Sequence, residues 1–372
     1  MGVFILSKRL KVGVFLGYKI AYNLDKWRKD YLNDEANDTA PYGYDRVNGK
    51  DVNVEYISFN KFERKILFNK YLQYVYLYFI KLPIMLLKYD VIWTHYDKDG
   101  LYIAKLKSIP VVGKIFPKQI SCFVWLIDNS REFDNTKKRS VSYLLRKIDK
   151  IIFHSPTEKV KFIEIFNCNE KKLQYVPFGI NIEAYSPDKK DIVPAGIKDN
   201  LSGFILSVGT DIHRDMDLFK KITEVLPNYK FILASANPKY LQEKYNKNTI
   251  VLKANLQEIR WLYKKCLCVI IPLKYNEHVS GCTTILEAGA MHKPVIVSDV
   301  PGIREYLLEN KTGLIVPVGD IDAMKESIVA LINNPSFADE LGENAFNYIR
   351  DKFTTDNWAK AHLELSREIL KI

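Results

Sequence analysis

The sequence of 372 residues has only five cysteines, Cys122, Cys168, Cys266, Cys268 and Cys282, and only Cys266 and Cys268 lie close together. That pair belongs to the apolar run Cys268-Val-Ile-Ile-Pro272, where two buried strand thiols are expected rather than half of a zinc site. A reducing cytoplasm suits such usage. Neither G-x-x-x-x-G-K-[ST] nor G-x-G-x-x-G occurs, which speaks against a P-loop nucleotidase and an ordinary NAD enzyme. Long apolar runs are also missing. Val3 to Leu6 is too short for a signal peptide, and Phe68 to Leu87 is broken by Lys70, Gln73, Lys81 and Pro83, a poor membrane span. No internal repeat or low-complexity tract is visible.

What is present is enough apolar residue, 47%, to build cores, and a length that suits two domains rather than one. The net charge of +11 is uneven: residues 1–190 hold 33 Lys+Arg against 21 Asp+Glu, or +12, and residues 191–372 hold 22 against 23, or −1. A basic first half suits a phospholipid surface, a lipid-linked pyrophosphate or a nucleic acid, and suits equally a merely solubilising surface. The aromatic stretch with Tyr71, Tyr74 and Tyr78 has two readings: a helix resting on a membrane surface, or the amphipathic crossover helix of the adjacent strand, which is favoured.

Short apolar strands alternate with helical patterns along the second half. Phe204–Gly209, Lys230–Ser235, Thr249–Leu252, Leu267–Pro272 and Pro294–Ser298 read as strands, and Asp217–Leu226, Leu256–Lys264 and Thr283–Met291 as helices. Such alternation predicts a parallel sheet covered on both faces. The first half repeats this less regularly, with strands expected at Val12–Leu16, Val91–Thr94, Cys122–Ile127 and Lys150–His154 and a helix at Leu82–Leu87. The polar, proline-bearing stretch Ser186–Asn200 reads as the inter-domain linker. The expected division is 1–185 for an acceptor domain, 186–355 for a donor domain and 356–372 for a last helix returning to the first domain. Trp27–Tyr44 reads as a loop over the binding cleft or as a passive insertion.

The sharpest signal is Ser280-Gly-Cys-Thr-Thr-Ile-Leu-Glu-Ala-Gly-Ala-Met-His-Lys-Pro294, a loop of small residues leading into a helix. Free amides at such a helix start suit a diphosphate, so Ser280, Gly281, Cys282, Thr283 and Thr284 are candidate donor-binding residues. Glu287, one helical turn in, can accept two hydroxyl hydrogen bonds of a ribose, or simply favour the helix dipole.

Taken with Ser207-Val-Gly209, Ile270-Ile-Pro272, Leu286-Glu-Ala288, Lys293-Pro294 and Gly313-Leu-Ile-Val-Pro317, this stretch resembles the donor-binding segment of GT-B glycosyltransferases, in particular the retaining family 4. The resemblance implies two Rossmann-like α/β domains facing each other across a cleft, with Val176-Pro-Phe-Gly-Ile-Asn181 as the crossover. It further implies transfer of a sugar from a nucleoside diphosphate, a UDP-sugar or GDP-sugar, to a glycan or lipid-linked acceptor; bacterial surface polysaccharide synthesis would suit the basic first half. No separate cofactor and no nucleic acid are then expected. By the same resemblance Glu287 is the second glutamate of the E-x7-E motif and holds the ribose. The first would fall at Val279, where the pattern fails, with Glu277 and His278 close by and Ser280-Gly281 replacing Phe-Gly.

Where the family has Arg and then Lys after the first strand of this half, the chain has Gly209-Thr-Asp-Ile-His-Arg214, with Thr210 in the Arg place and Arg214 near the Lys place. Arg214 can bind two phosphate oxygens at once and is the candidate for stabilising the leaving diphosphate; Gly209, His213 and Asn255 complete the candidate donor set. With that charge available, activity without a divalent metal is expected. On the acceptor side the strand ends offer His95 and Asp128, with Ile127 standing where relatives carry a histidine. Two other functions remain open, a nucleotide-sugar 2-epimerase on the same fold and a non-catalytic sugar-nucleotide-binding protein. A cytoplasmic protein, peripheral on the inner face of a membrane, would fit the basic first half.

Overall fold

The computed structural model describes residues 9–17, 24–59, 72 and 75–372. The run Val3–Leu6 and, in the aromatic stretch, Phe68, Lys70, Tyr71, Gln73 and Tyr74 lie outside the described residues. The chain forms two compact units, one of residues 1–29, 39–176 and 358–372 and the other of residues 30–38 and 177–357.

The first unit is built on six parallel strands, β1 (Leu10–Phe15), β2 (Val52–Tyr56), β3 (Val91–Thr94), β4 (Lys118–Cys122), β5 (Lys150–Phe153) and β6 (Leu173–Tyr175), in the order β2-β1-β3-β4-β5-β6. All four residues of β3 and of β5 are buried, as a sheet covered on both faces requires. One covering layer contains α1 (Leu82–Leu86), α2 (Asp97–Lys107) and α3 (Asn135–Leu145). Leu82 and Leu86 of α1 pack with Ile103 and Leu106 of α2, and Ala104 of α2 packs with Val141 and Leu145 of α3, so α2 lies between the other two. The strand expected at Cys122–Ile127 is displaced: β4 ends at Cys122, and Leu126–Asn129 is a helical turn. A continuous apolar run does not tell a strand from a buried turn.

The last helix, Thr355–Leu370, belongs to the first unit from Trp358 onward. Trp358 joins the cluster of Val12, Val91, Trp93 and Ile152, and Trp93 Nε1 donates to Ser366 Oγ at 2.9 Å in the buried interior. Burying an indole of this size contributes about 1.5–3 kcal/mol. The segment Trp27–Tyr44 is not one loop. It supplies the helix Leu24–Leu32 and the start of a 3-10 turn, Pro41–Val47, in which Tyr44 is fully buried. Between them, residues 30–38 belong to the second unit, where Asp34 pairs with the buried Arg260, Nη1 to Oδ1 at 3.2 Å.

The second unit is likewise a six-stranded parallel sheet, β7 (Phe204–Val208), β8 (Phe231–Ala234), β9 (Thr249–Leu252), β10 (Cys266–Ile271), β11 (Val295–Ser298) and β12 (Leu314–Val316), in the order β12-β11-β10-β7-β8-β9. Helices α4 (Met216–Val225), α5 (Leu256–Lys265) and α6 (Cys282–Ala290) follow β7, β9 and β10. Two apolar clusters flank the sheet. The strand order reverses between β7 and β10, and the crevice at the carboxyl ends of such a pair is where open α/β sheets bind ligands.

The change of unit falls at Val176 and Pro177, within the segment implied as the crossover. The stretch Ser186–Asn200 lies wholly inside the second unit instead of joining the two. It is fastened to α5: Asp191 pairs with Lys264 at 2.6 Å and Lys190 O accepts from Arg260 Nε at 2.9 Å. Proline and polar residues mark irregular backbone, and irregular backbone need not be a hinge.

Candidate functional site

The second unit gathers its polar residues at the switch point between β7 and β10. Gly209, at the end of β7, has φ +152°, and a Cβ placed on it would overlap Nε of Arg214. Glycine is required here because the guanidinium takes the space of a side chain. Arg214 is 4% exposed, and its Nη2 donates to Thr284 Oγ1 at 2.8 Å. Its Nε and Nη1 are buried with no protein partner. Burial lowers the guanidinium pKa, and Asp211 opposes that. Leaving charged donors buried and unpaired costs several kcal/mol, a cost that an anion held here would relieve.

The second wall is the start of α6. Gly281 caps the helix with φ +92°, and a Cβ there would meet Ile271 at 2.8 Å and Arg214 Nη1 at 3.4 Å. The first amides of a helix lack intrahelical acceptors. That of Cys282 is used by Val279 O at 3.1 Å, which leaves the amides of Thr283 and Thr284 beside the guanidinium. Thr283 is exposed, Thr284 is buried, and Thr284 Oγ1 also reaches Val208 O at 3.3 Å. Val279, where the first motif glutamate would fall, is fully buried with φ +54°, a left-handed conformation that strains a β-branched residue by about 1–3 kcal/mol. Ser280 N donates to Asn276 Oδ1 at 2.9 Å and fixes the turn.

Glu287 lies a turn further on. Its Oε1 accepts from Tyr185 Oη at 2.7 Å and its Oε2 from Tyr263 Oη at 3.0 Å. Burial pushes its carboxyl pKa up, against those two hydrogen bonds and the charge of Arg214. Each carboxylate oxygen keeps a further lone pair for a ligand hydroxyl. Sequence reasoning missed both tyrosines, which lie 102 and 24 residues away from Glu287 in the chain.

Asp211 and His278 were also given no role, yet they join the two walls: His278 Nε2 and Asp211 Oδ2 are 2.8 Å apart. Asp211 Oδ1 accepts from His213 N at 2.8 Å and lies 3.3 Å from His213 Nδ1. Burial raises the Asp211 carboxyl, but His278 and the His213 amide outweigh it and hold it well below the usual carboxylate range. Asp211, His213 and His278 each offer a ligand atom within 4.8 Å of the others and could hold a metal ion. The sequence contains three Asp-x-Asp pairs, and they are spent on local structure. Asp97 accepts from Val124 N at 2.9 Å, and Asp215 and Asp320 cap helices. Asn255, expected among the donor ligands, is the N-cap of α5 in a capping box with Glu258.

In the first unit, His95 is 4% exposed at the end of β3. Its Nδ1 is 2.9 Å from Tyr44 Oη, Tyr42 stacks on its ring at 3.6 Å, and Trp358 lies 5.8 Å away. Burial holds it neutral, with a pKa well below the histidine range. It is core. Asp128 sits in the turn Leu126–Asn129 with Arg131 at 3.7 Å. Asp99, in the first turn of α2, lies against Gly17 at the end of β1, and burial pushes its carboxyl up to about 7.

Two parallel-sheet α/β units, with a loop of small residues opening a helix at the switch point of the second, define a GT-B fold. The Anabaena Alr3699/HepE structure in complex with UDP and glucose has this fold, with TM-score 0.69 and 15% identity over 96% of this chain and 100% of that one. Residues 207–348, within the second unit, match the family described as Glycosyl transferases group 1. The capsular polysaccharide biosynthesis glycosyltransferase CapM of Staphylococcus aureus is 27% identical over 242 residues, 59% of this chain and 62% of that protein. The chain thus spans about three-fifths of this relative's length. An Escherichia coli UDP-Gal:alpha-D-GlcNAc-diphosphoundecaprenol alpha-1,3-galactosyltransferase is 23% identical over 66% of this chain and 67% of its own.

Proposed function

We propose that the protein transfers a sugar from a nucleoside diphosphate sugar to a glycan or lipid-linked acceptor, with retention at the anomeric carbon and no required divalent cation. The observation that carries this reading is Arg214, held between Gly209 and the start of α6 with two buried donors unpaired. As the glycosidic bond breaks, negative charge grows on the leaving diphosphate. A guanidinium and helix amides already in place stabilise that charge without reorganising. Glu287, one turn away, holds the ribose hydroxyls. UDP is the favoured nucleotide because a structural relative binds it, and surface polysaccharide synthesis is the favoured setting because CapM serves it. Retention rests on the family resemblance. Among the described residues no helix is long and apolar enough to cross a membrane; cytoplasmic placement at the inner membrane face is part of the proposal.

A second reading has one observation in its favour. A 2-epimerase needs a carboxylate and a histidine near the sugar, and Asp211 with His278 supplies such a pair. Incubation with UDP-hexoses separates the two. Transfer requires UDP release that depends on an added acceptor, whereas conversion of the donor to its 2-epimer with no acceptor present would overturn it.

A further inference from the structure

The layer α1, α2 and α3 of the first unit leaves large apolar side chains in solvent. Phe79, Ile80, Ile84 and Leu87 project around α1, and Phe79 and Ile84 are 57% and 63% exposed. Ile109, Val111 and Ile115 project just beyond α2, and Val111 and Ile115 are 76% and 64% exposed. Both groups sit on one structure. Leu82 and Leu86 anchor the first, and Phe116 follows the second into the same cluster with Ile103 and Leu106. Tyr78 turns inward onto Tyr102, ring centroids 5.6 Å apart, so the tyrosine at this position serves the core as favoured above while its neighbours remain outside. Scattered exposed apolar residues are ordinary, but grouped ones of this size mark an interaction surface.

The flanking charge says what the partner is. Lys105 and Lys114 are exposed beside the second group, and α3, packed along α2, adds exposed Lys137 and Arg139 with Arg146 just past its end. Asp90, Asp97 and Asp99 in the same stretch are partly withdrawn from solvent, and the exposed acids Glu132 and Asp134 lie just before α3, with Asp134 capping it. Apolar side chains that can enter the acyl boundary, bordered by Lys and Arg, are what an anionic bilayer surface binds. A second copy of this basic surface would repel the first.

We infer that this helical layer is a docking surface for an anionic phospholipid bilayer, with Phe79, Ile84, Val111 and Ile115 inserted and Lys105, Lys114, Lys137 and Arg139 against the headgroups. The surface belongs to the first unit, whereas α6 and Arg214 belong to the second, and the inference does not depend on the reaction proposed above. It would hold the enzyme where a lipid-linked acceptor resides.

The test is co-sedimentation with vesicles of phosphatidylcholine alone and of equal parts phosphatidylcholine and phosphatidylglycerol. Wild-type protein should bind the anionic vesicles, and binding should weaken steeply as salt rises from low to physiological. Phe79→Glu with Ile84→Glu, and separately Val111→Glu with Ile115→Glu, should each weaken binding by about tenfold or more. Circular dichroism and UDP affinity in solution should stay unchanged, since these side chains lie in solvent. Lys137→Glu with Arg139→Glu should reduce binding and flatten its salt dependence. Absence of wild-type binding, equal binding to both vesicle types, or variants that bind like wild type would each overturn the inference. So would a concentration-dependent dimer abolished by the same substitutions, which would assign the surface to a second copy. Loss of UDP affinity at Arg214 leaves this inference standing, so the two proposals fail separately.

Discussion

Arg214 Nη2 donates to Thr284 Oγ1 across 70 residues of sequence, and this bond joins the loop after β7 to the first turn of α6. It aims the guanidinium along the helix start, where a diphosphate would lie.

Arg214→Ala should therefore lower kcat chiefly, by roughly 10²–10³, because the charge it meets develops only as the leaving group departs. Arg214→Lys should rescue little, since an ammonium cannot reproduce the planar fork held by Thr284. Gly209→Ala, which displaces the guanidinium, should copy Arg214→Ala. Steady-state kinetics on the three variants decides, and an Arg214→Ala enzyme with undiminished kcat would remove Arg214 from the mechanism.

Glu287→Ala should weaken UDP binding by roughly tenfold to a hundredfold, the loss of one or two charge-assisted hydrogen bonds of about 1.5–3 kcal/mol. It also strands the hydroxyls of Tyr185 and Tyr263, so stability should fall. Tyr185→Phe and Tyr263→Phe separate the effects: they remove the internal bonds but leave the carboxylate for the ribose. Calorimetry should show a UDP Kd that rises at least tenfold in Glu287→Ala and stays within a few-fold of wild type in the tyrosine variants. An unaltered Kd in folded Glu287→Ala would sink the ribose assignment.

Excess EDTA should leave turnover intact, since Arg214 and helix amides supply the positive charge. The alternative has a definite address. If EDTA abolishes turnover, manganese restores it and His278→Ala cannot be restored, then Asp211, His213 and His278 hold a required ion.

The first unit should lose stability in acid. His362 is buried with its pKa lowered to about 3, and burial lowers His95 as well. An unfolded histidine titrates near 6.5. Between those values the unfolded chain binds more protons, so stability is full above about pH 6.5 and is lost as pH falls toward 3. His362→Met should flatten that slope by about 2–4 kcal/mol between pH 7 and pH 4. Urea midpoints of the two proteins across that range test it; parallel slopes would mean that His362 is not the titrating group.

Much of the fold was legible because period and composition report it locally. The strand Thr249–Leu252 falls where its apolar residues place it, and the helix start at Gly281 and Cys282 is written in a run of small residues. The edge strand β2 was not foreseen, and neither were β6 and β12, which have only three residues each. In so few residues alternation is indistinguishable from loop.

The sequence by itself determined the α/β class and the small-residue start of α6, because each depends on neighbours within one turn or one strand, while the family resemblance singled out Glu287 and Arg214 as the residues to follow. Tertiary structure alone decided which polar residues meet. Tyr185, Tyr263, Asp211 and His278 reach the site only when β7 and β10 pair side by side, and His95 is enclosed only when Tyr42, Tyr44 and Trp358 pack around it. A side chain's chemistry is set by its own bonds, but whether it is free to act is set by what packs against it, and in a parallel sheet those neighbours come from distant parts of the chain.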